Sequence, residues 1–284
     1  MFRSVCILGP GLLGASLMQA LRERGLAERL TTWSRRAETR LKCEGKPWCD
    51  AVYPTALEAV DGADLIVICL PVEHIVPTLE GIRSAIKPGC LVTDVGSTKS
   101  LICRHGQAIM PEGVDFIGSH PMVGSEKTGP ENGYAELFEG GACFVTPLVD
   151  TPQAVIEKTI RLWKAVGMEV GSASPEKHDE IVAHISHLPH FLASALCSYL
   201  ATQNNDWQNF AGAGLRDTTR IASGDPALWK SIASQNREEI LRALDGFEEE
   251  IQRFRSALHN EKWFEIINLL ERGKTYRDRL RMSK

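Results

Sequence analysis

Nowhere does this sequence pair cysteines at metal-ligand spacing. Its eight cysteines stand singly, with no C-x-x-C among them, which argues against a zinc site through cysteine. Cys6, Cys69, Cys90 and Cys143 lie inside apolar runs, where cysteine serves as a small buried hydrophobe. Reduced thiols and a cytoplasmic location are expected. An excess of positive charge is also missing. Lys and Arg number 32 against 36 Asp and Glu, for a net charge of −4 and a pI near 6.1, so there is no electrostatic footprint for nucleic acid. No apolar run approaches the roughly 20 residues that span a bilayer. The opening MFRSVCILG goes straight into a strand pattern without a leader-like segment. Neither a membrane nor export is expected.

Strand patterns are absent after about residue 172. Before that point, VCILG (5–9), LTTW (30–33), LIVICL (65–70), CLVTDV (90–95), DFIG (115–118) and CFVTPL (143–148) alternate with helical stretches. Their near-continuous apolar character suits strands covered on both faces, as in a mostly parallel sheet. Ser174-Pro175-Glu176 then reads as a helix start, with serine as cap, proline first and an acid in the first turn. Ile181, Ile185, Leu188, Leu192 and Leu196 continue it as a buried helical stripe. The pattern predicts an α/β fold: a sheet domain over 1–172 and an all-helical domain over 173–284.

Gly9-Pro10-Gly11-Leu12-Leu13-Gly14 follows the first strand and opens a helix, the context in which G-x-G-x-x-G marks a dinucleotide site in a Rossmann-like domain. Gly9 permits the turn, Gly11 lets the backbone approach a pyrophosphate, and Gly14 packs helix on strand. The helix N-terminus offers free N–H groups there. Cofactor choice is expected at the end of the second strand, where an NAD site usually carries a carboxylate. Trp33-Ser34-Arg35-Arg36 stands there instead, and a serine with two arginines suits a 2′-phosphate. NADP is expected ahead of NAD. Substrate groups belong beyond the carboxyl ends of the strands. Polar residues gather at three such places: Pro71 to His74, Asp94 to Lys99, and Ser119-His120-Pro121. Proline and glycine after DFIG place His120 on a loop at a strand tip.

The set GPGLLGAS, DVGSTK, SHPMVGSEKTG, SHLPH and DTTRIASGDPALW resembles the prephenate/arogenate dehydrogenase family, and the match runs in order along nearly the whole chain. The resemblance implies oxidative decarboxylation of prephenate to 4-hydroxyphenylpyruvate with NADP+ or NAD+. Arogenate, which would give tyrosine directly, is the alternative substrate. It further implies that His120 takes the proton of the 4-hydroxyl, that Ser97 bonds the same hydroxyl, that Arg220 binds the ring carboxylate and that His190 contacts the side chain. Ser97 is also expected to cap the helix that begins at Lys99. Ser125 and Glu126 are expected to line the pocket, Trp229 to pack and form a wall, and Pro71 to join the cofactor side. His178-Asp179 is expected to open a helix near the pocket entrance, and Arg216 to pair with an acid such as Asp179 or Glu126.

His178, His184, His187 and His190 fall within a short span that also holds Pro189. Their spacing invites a metal reading, but no acidic or cysteine ligand accompanies them at matching spacing and hydride transfer requires no metal, so none is expected. Pro189 should kink its helix. Leu228, Ile232, Ile240, Leu244, Phe247, Ile251 and Phe254 exceed what a small helical lobe buries alone, and the resemblance implies a homodimer through these helices. Two rivals share the general plan: a β-hydroxyacid or imine reductase, and a non-catalytic NADP-sensing module.

Overall fold

Strand β1 (Phe2–Leu8) opens the chain, followed by α1 (Leu12–Glu23), β2 (Ala27–Trp33), α2 (Ala37–Cys43), β3 (Ala51–Val52), α3 (Ala56–Val60), β4 (Leu65–Ile68) and α4 (Val72–Ile82). Next come β5 (Leu91–Asp94), α5 (Ser100–Ile109), β6 (Asp115–Pro121), β7 (Ala142–Thr146), α6 (Gln153–Ala165) and β8 (Glu169–Ser172). The structure is a computed structural model describing residues 1–124 and 127–280. Eight strands form one sheet in the order β3-β2-β1-β4-β5-β6-β7-β8. All neighbours are parallel except β6 and β7. The order reverses between β1 and β4, the switch point at which open α/β sheets bind ligands.

Side chains alternate across a strand, and here both sets are buried. Val5, Ile7, Leu65 and Val67 pack with Leu17 and Leu21 of α1 and Trp163 of α6. Cys6, Leu8, Ile66 and Ile68 pack on the other face with Ile75 and Leu79 of α4 and Ile102 of α5. Each such aliphatic side chain contributes about 1.5–3 kcal/mol by leaving water. That two-sided burial is why the strands read as unbroken apolar runs.

The structure corrects one boundary that matters. β6 does not end at Gly118 but continues through His120 and Pro121, with His120 opposite Phe144 and Pro121 opposite Cys143. Backbone N–H groups alternate sides along a strand. The Met122 N–H turns to Ala142 on β7 at 2.8 Å, and the Ser119 N–H turns the other way, to the Asp94 carboxylate at 3.2 Å. Pro121 therefore lacks its N–H on the β5 side, where pairing has already stopped at Ile117. Proline is tolerated at such an unpaired edge. β3 and β8 escaped the sequence pattern because one has two residues and the other is mostly exposed.

Beyond β8, α7 (Pro175–Val182), a π-helical turn (Ala183–His187) and α8 (Leu188–Leu200) form one helical run. Ser174 caps it as expected, its hydroxyl accepting the Lys177 N–H at 3.2 Å. The π turn stands just before Pro189, an irregularity of the kind that goes with kinked helices. The Leu188 N–H reaches back to the Ala183 carbonyl, five residues away, just before the donor that Pro189 lacks. The run is long and apolar enough by composition to cross a membrane, with mean hydropathy 1.2, although no apolar stretch of that length stood out in the sequence. Its first turns hold buried His178 and Asp179, which belong to a polar network of the sheet unit. The remaining helices are α9 (Ala213–Thr219), α10 (Pro226–Gln235), α11 (Arg237–His259) and α12 (Trp263–Arg279).

By packing, the chain divides into two units: residues 1–181 with 223–235, and residues 182–222 with 236–284. Division by strand content, near residue 172, falls elsewhere because α7 and α10 pack with the sheet. Asp225 caps α10 by accepting the Ala227 N–H at 2.9 Å. Ile232 of α10 is buried, and Trp229 packs on the cluster that holds Ile75 and Leu79. Gln235 accepts the Thr98 hydroxyl at 2.6 Å. In the helical unit α11 packs on α8, α12 and the π turn. Among the described residues, only Val182, Ala183, Ala193, Ile240, Ala243 and Ala257 are its buried apolar side chains.

Candidate active site

The carboxyl ends of β1, β2 and β4 meet around the glycine turn. Gly9 has φ +94°, and a Cβ there would lie 2.5 Å from the Cys69 carbonyl. A Cβ on Gly14 would lie 2.4 Å from the Gly9 carbonyl, whereas Gly11 faces open space. These are the three roles expected for the glycines. Gly11 caps α1 without a side-chain bond, and no acid occupies the first turn. The N–H groups of Leu12 and Leu13 have no acceptor within the helix and suit an anionic pyrophosphate. The Gly9 N–H bonds the Trp33 carbonyl at 2.9 Å, which ties this turn to the end of β2. There Ser34 is buried, while Arg35 and Arg36 are exposed. Arg40 donates to the carbonyls of Ser34 at 2.6 Å and Arg35 at 3.2 Å and fixes the turn. Pro71 stands at the N-cap of α4, just after Cys69 and Leu70, which abut Gly9. Thus the residues expected to hold the cofactor gather on one edge.

Along the same edge, the ends of β5 and β6 are joined by a buried polar network. Asp94 accepts N–H groups from Gly96 at 2.8 Å and Ser119 at 3.2 Å. The Lys99 ammonium pairs with Asp94 and donates to the Ser119 carbonyl at 2.9 Å. Both side chains are fully buried. Thr93 and Ser119 share a hydroxyl bond of 2.8 Å. Ser97 sits half-buried in the turn between them. It does not cap the next helix, as had been expected. α5 starts at Ser100, and the carboxylate of Asp179 receives the N–H groups of Lys99 and Ser100, each at 2.8 Å.

His120 lies within β6, buried, rather than on a loop. Its Nδ1 is 2.8 Å from His178 Nε2, and His178 Nδ1 is 2.8 Å from Asp179 Oδ1. His178 and Asp179 do not sit at a pocket entrance: His178 is 0% exposed and Asp179 3%. Burial depresses the His178 pKa, with only partial opposition from Asp179. Burial pushes Asp179 upward, but hydrogen bonds from His178 and Ser100 outweigh it and hold the carboxyl below its ordinary range. The Asp179 oxygens serve α5 and His178.

In the helical unit His190 is buried, and its ring bonds the backbone of Ile221; burial lowers its pKa. Arg220, the preceding residue, is exposed at the start of a 3-10 turn, Arg220–Ser223, so the α-helical register with Arg216 ends at Thr219. The structure brings His190 and the Arg220 turn together. Ser125 and Glu126, expected in the pocket, lie outside the described residues. Trp229 serves as packing in the sheet unit. The four clustered histidines separate: His178 belongs to the sheet unit, whereas His184, His187 and His190 belong to the helical unit, and His184 is exposed. Sequence reasoning missed the buried Asp94–Lys99 pair and the contact between His178 and His120. The first left a signal, an Asp ending an apolar strand with a Lys five residues on. The second left none, because the partners are far apart in the chain.

A phosphate-ready glycine turn and a buried histidine on one sheet edge define a dinucleotide-dependent oxidoreductase. Residues 17–172 match the family described as "Prephenate dehydrogenase, nucleotide-binding domain", and residues 174–272 match "Prephenate dehydrogenase, dimerization domain". The chain belongs to the prephenate dehydrogenase family of NAD(P)-dependent oxidoreductases. It is 31% identical over 281 residues to a prephenate dehydrogenase of Bacillus subtilis, covering 98% of this chain and 76% of that one. The A. aeolicus prephenate dehydrogenase, solved with hydroxyphenyl propionate and NAD+, superimposes with a TM-score of 0.91 at 28% identity and covers 98% of both chains. The Synechocystis arogenate dehydrogenase follows at 0.85 and 30%, covering 97% of this chain and 99% of that one.

Proposed function

We propose that this protein converts prephenate to 4-hydroxyphenylpyruvate and CO2, with NADP+ preferred over NAD+ as oxidant. The observation that carries this reading is His120, a buried imidazole at the carboxyl end of β6 with its Nδ1 hydrogen-bonded, in a chain of this family. When bound, NAD(P)+ supplies the acceptor for the hydrogen and two electrons that leave C4. The backbone N–H groups of Leu12 and Leu13, beside Gly9, Gly11 and Gly14, would hold its pyrophosphate. Ser34, Arg35 and Arg36 would hold the 2′-phosphate, since no carboxylate stands at that turn to bind a free ribose.

The protein's own part is to move one proton and hold two carboxylates. His120 takes the proton of the 4-hydroxyl as C4 is oxidised to a carbonyl. A histidine suits the task because its ordinary pKa lies near neutrality. Loss of the ring carboxylate as CO2 then returns an electron pair to the ring, which becomes aromatic. The proton held by His120 goes back to the phenolate oxygen. Ser97, in the turn beside the end of β6, donates to the same oxygen. Arg220 binds the ring carboxylate, for which its guanidinium is a bidentate partner, and His190 meets the pyruvyl side chain. All eight cysteines are unpaired, which supports a reducing, cytoplasmic setting.

Large apolar side chains lie exposed on the helical unit, Phe264 at 77% and Trp263 at 59%. They support a homodimer built through that unit, as the matched dimerization domain suggests.

Steady-state assays with prephenate and arogenate, each against NADP+ and NAD+, test the reading. The expected result is the highest kcat/KM for prephenate with NADP+. Faster turnover of arogenate, or of NAD+, would reassign the substrate or the cofactor respectively.

A further inference from the structure

We infer that His178, backed by Asp179, is a positioning residue that sets the tautomer of His120 and makes Nε2 its proton acceptor. This rests on the reading of His120 as the base. Donors and acceptors assign the hydrogens in turn. Ionised Asp179 can only accept, and its Oδ1 lies 2.8 Å from His178 Nδ1, so that nitrogen carries a hydrogen. A neutral imidazole has a single N–H, which leaves His178 Nε2 as an acceptor. It lies 2.8 Å from His120 Nδ1, which must donate. In neutral His120 the lone pair then belongs to Nε2.

The surroundings keep His178 neutral. Burial opposes its charge, and so does Lys99 at the start of α5, while Asp179 on its own helix and Asp94 at the end of β5 favour charge; the net effect is a lowered pKa. From β6 it faces His120, and from β7 the uncharged Phe144, whose ring meets it edge-on at 5.2 Å and 87°. A carboxylate placed directly against His120 would favour the imidazolium and blunt a base near neutral pH. An interposed neutral imidazole gives orientation without adjacent negative charge. Once His120 is protonated, its bond to His178 becomes charge-assisted and stronger. Because Asp179 also caps α5, the ring orientation is tied to the helix that follows the Ser97 turn.

Nitrogen-15 NMR of the unmodified protein reads the tautomer directly. Neutral His120 is expected with hydrogen on Nδ1 and none on Nε2; the opposite tautomer overturns the inference. Kinetically, His178→Leu should lower kcat by about 10- to 100-fold, the loss typical when the hydrogen-bond partner that orients a metal-ligating histidine is removed. Both Michaelis constants should stay near wild type. The acid limb of kcat should move to lower pH, since protonated His120 loses its acceptor. His178→Gln, whose amide oxygen can accept from Nδ1, should recover part of kcat. A folded His178→Leu with wild-type kcat and an unmoved limb would also overturn the inference; if it fails to fold, the tautomer measurement decides. His120→Asn separates the two claims. It should lower kcat by about 10²–10⁴ and abolish the limb. A limb that survives His120→Asn sinks the assignment of the base itself.

Discussion

Arg35 and Arg40 serve one turn in different ways. Arg40 has its guanidinium bound to two backbone carbonyls, whereas the side chain of Arg35 is exposed beyond the end of β2. Only the latter suits a 2′-phosphate. Arg35→Ala should therefore remove charged hydrogen bonds worth about 1.5–3 kcal/mol, or roughly 10- to 150-fold in KM for NADP+. The KM for NAD+ should hardly change, and equal effects on both cofactors would return the residue to a solvated turn. Ser34 and Arg35 were proposed from the sequence because the end of the second strand is where a Rossmann-like site meets the ribose. The role of Arg40 was not, since nothing in a helical arginine tells that it will fold back on the carbonyls just ahead of its own helix. Lys99 left a fainter trace, an Asp five residues before it at the end of an apolar strand. Its burial depends on Asp94 and Ser119, and the register that places Ser119 beside it comes from strand pairing far along the chain.

At the scale of elements, periodicity revealed the sheet, the glycine turn and the helix after Ser174, because each depends on neighbouring residues. The extension of β6 through Pro121 and the π turn before Pro189 were hidden. Both arise from where a missing proline N–H can be accommodated, and that depends on the neighbouring strand or turn. The helix starting at Pro175 carries a titration that stability should report. Folded His178 has its pKa held below the ordinary value of 6.5, first by burial. The unfolded chain thus binds the proton first, and the stability contributed is complete above about pH 6.5 and declines as pH falls below it. Asp179, also held low, adds a further loss below about pH 4. The urea midpoint should consequently be lower at pH 5.5 than at pH 7.5. In His178→Gln the difference should shrink, and an undiminished difference would assign the acid sensitivity to other groups.

For the whole molecule, the sparse burial in the helical unit is the most telling feature. Its interior is small, mainly alanines with Val182 and Ile240, while Tyr199, Phe210, Phe264 and Leu270 lie exposed. Sustained exposure on that scale marks an association surface. Phe264→Glu should shift sedimentation toward a monomer and lower the unfolding midpoint at low protein concentration. A variant that stays dimeric at every concentration would place the interface elsewhere. The apolar excess of the last helices was legible in the sequence, but the division of the chain into packing units was not, since nothing local in 223–235 distinguishes α10 from its helical neighbours.

The chain passes from one packing unit to the other after Ile181, Ala222 and Gln235. Recombination between relatives must respect those three crossings. A single-crossover hybrid joined near residue 181 would give the sheet of one parent the α10 of another, and set foreign side chains at the positions of Trp229, Ile232 and Gln235 against its own Ile75, Leu79 and Thr98. An exchange that keeps 223–235 with the sheet moves the helical segments as an interrupted cassette and leaves those native contacts in place.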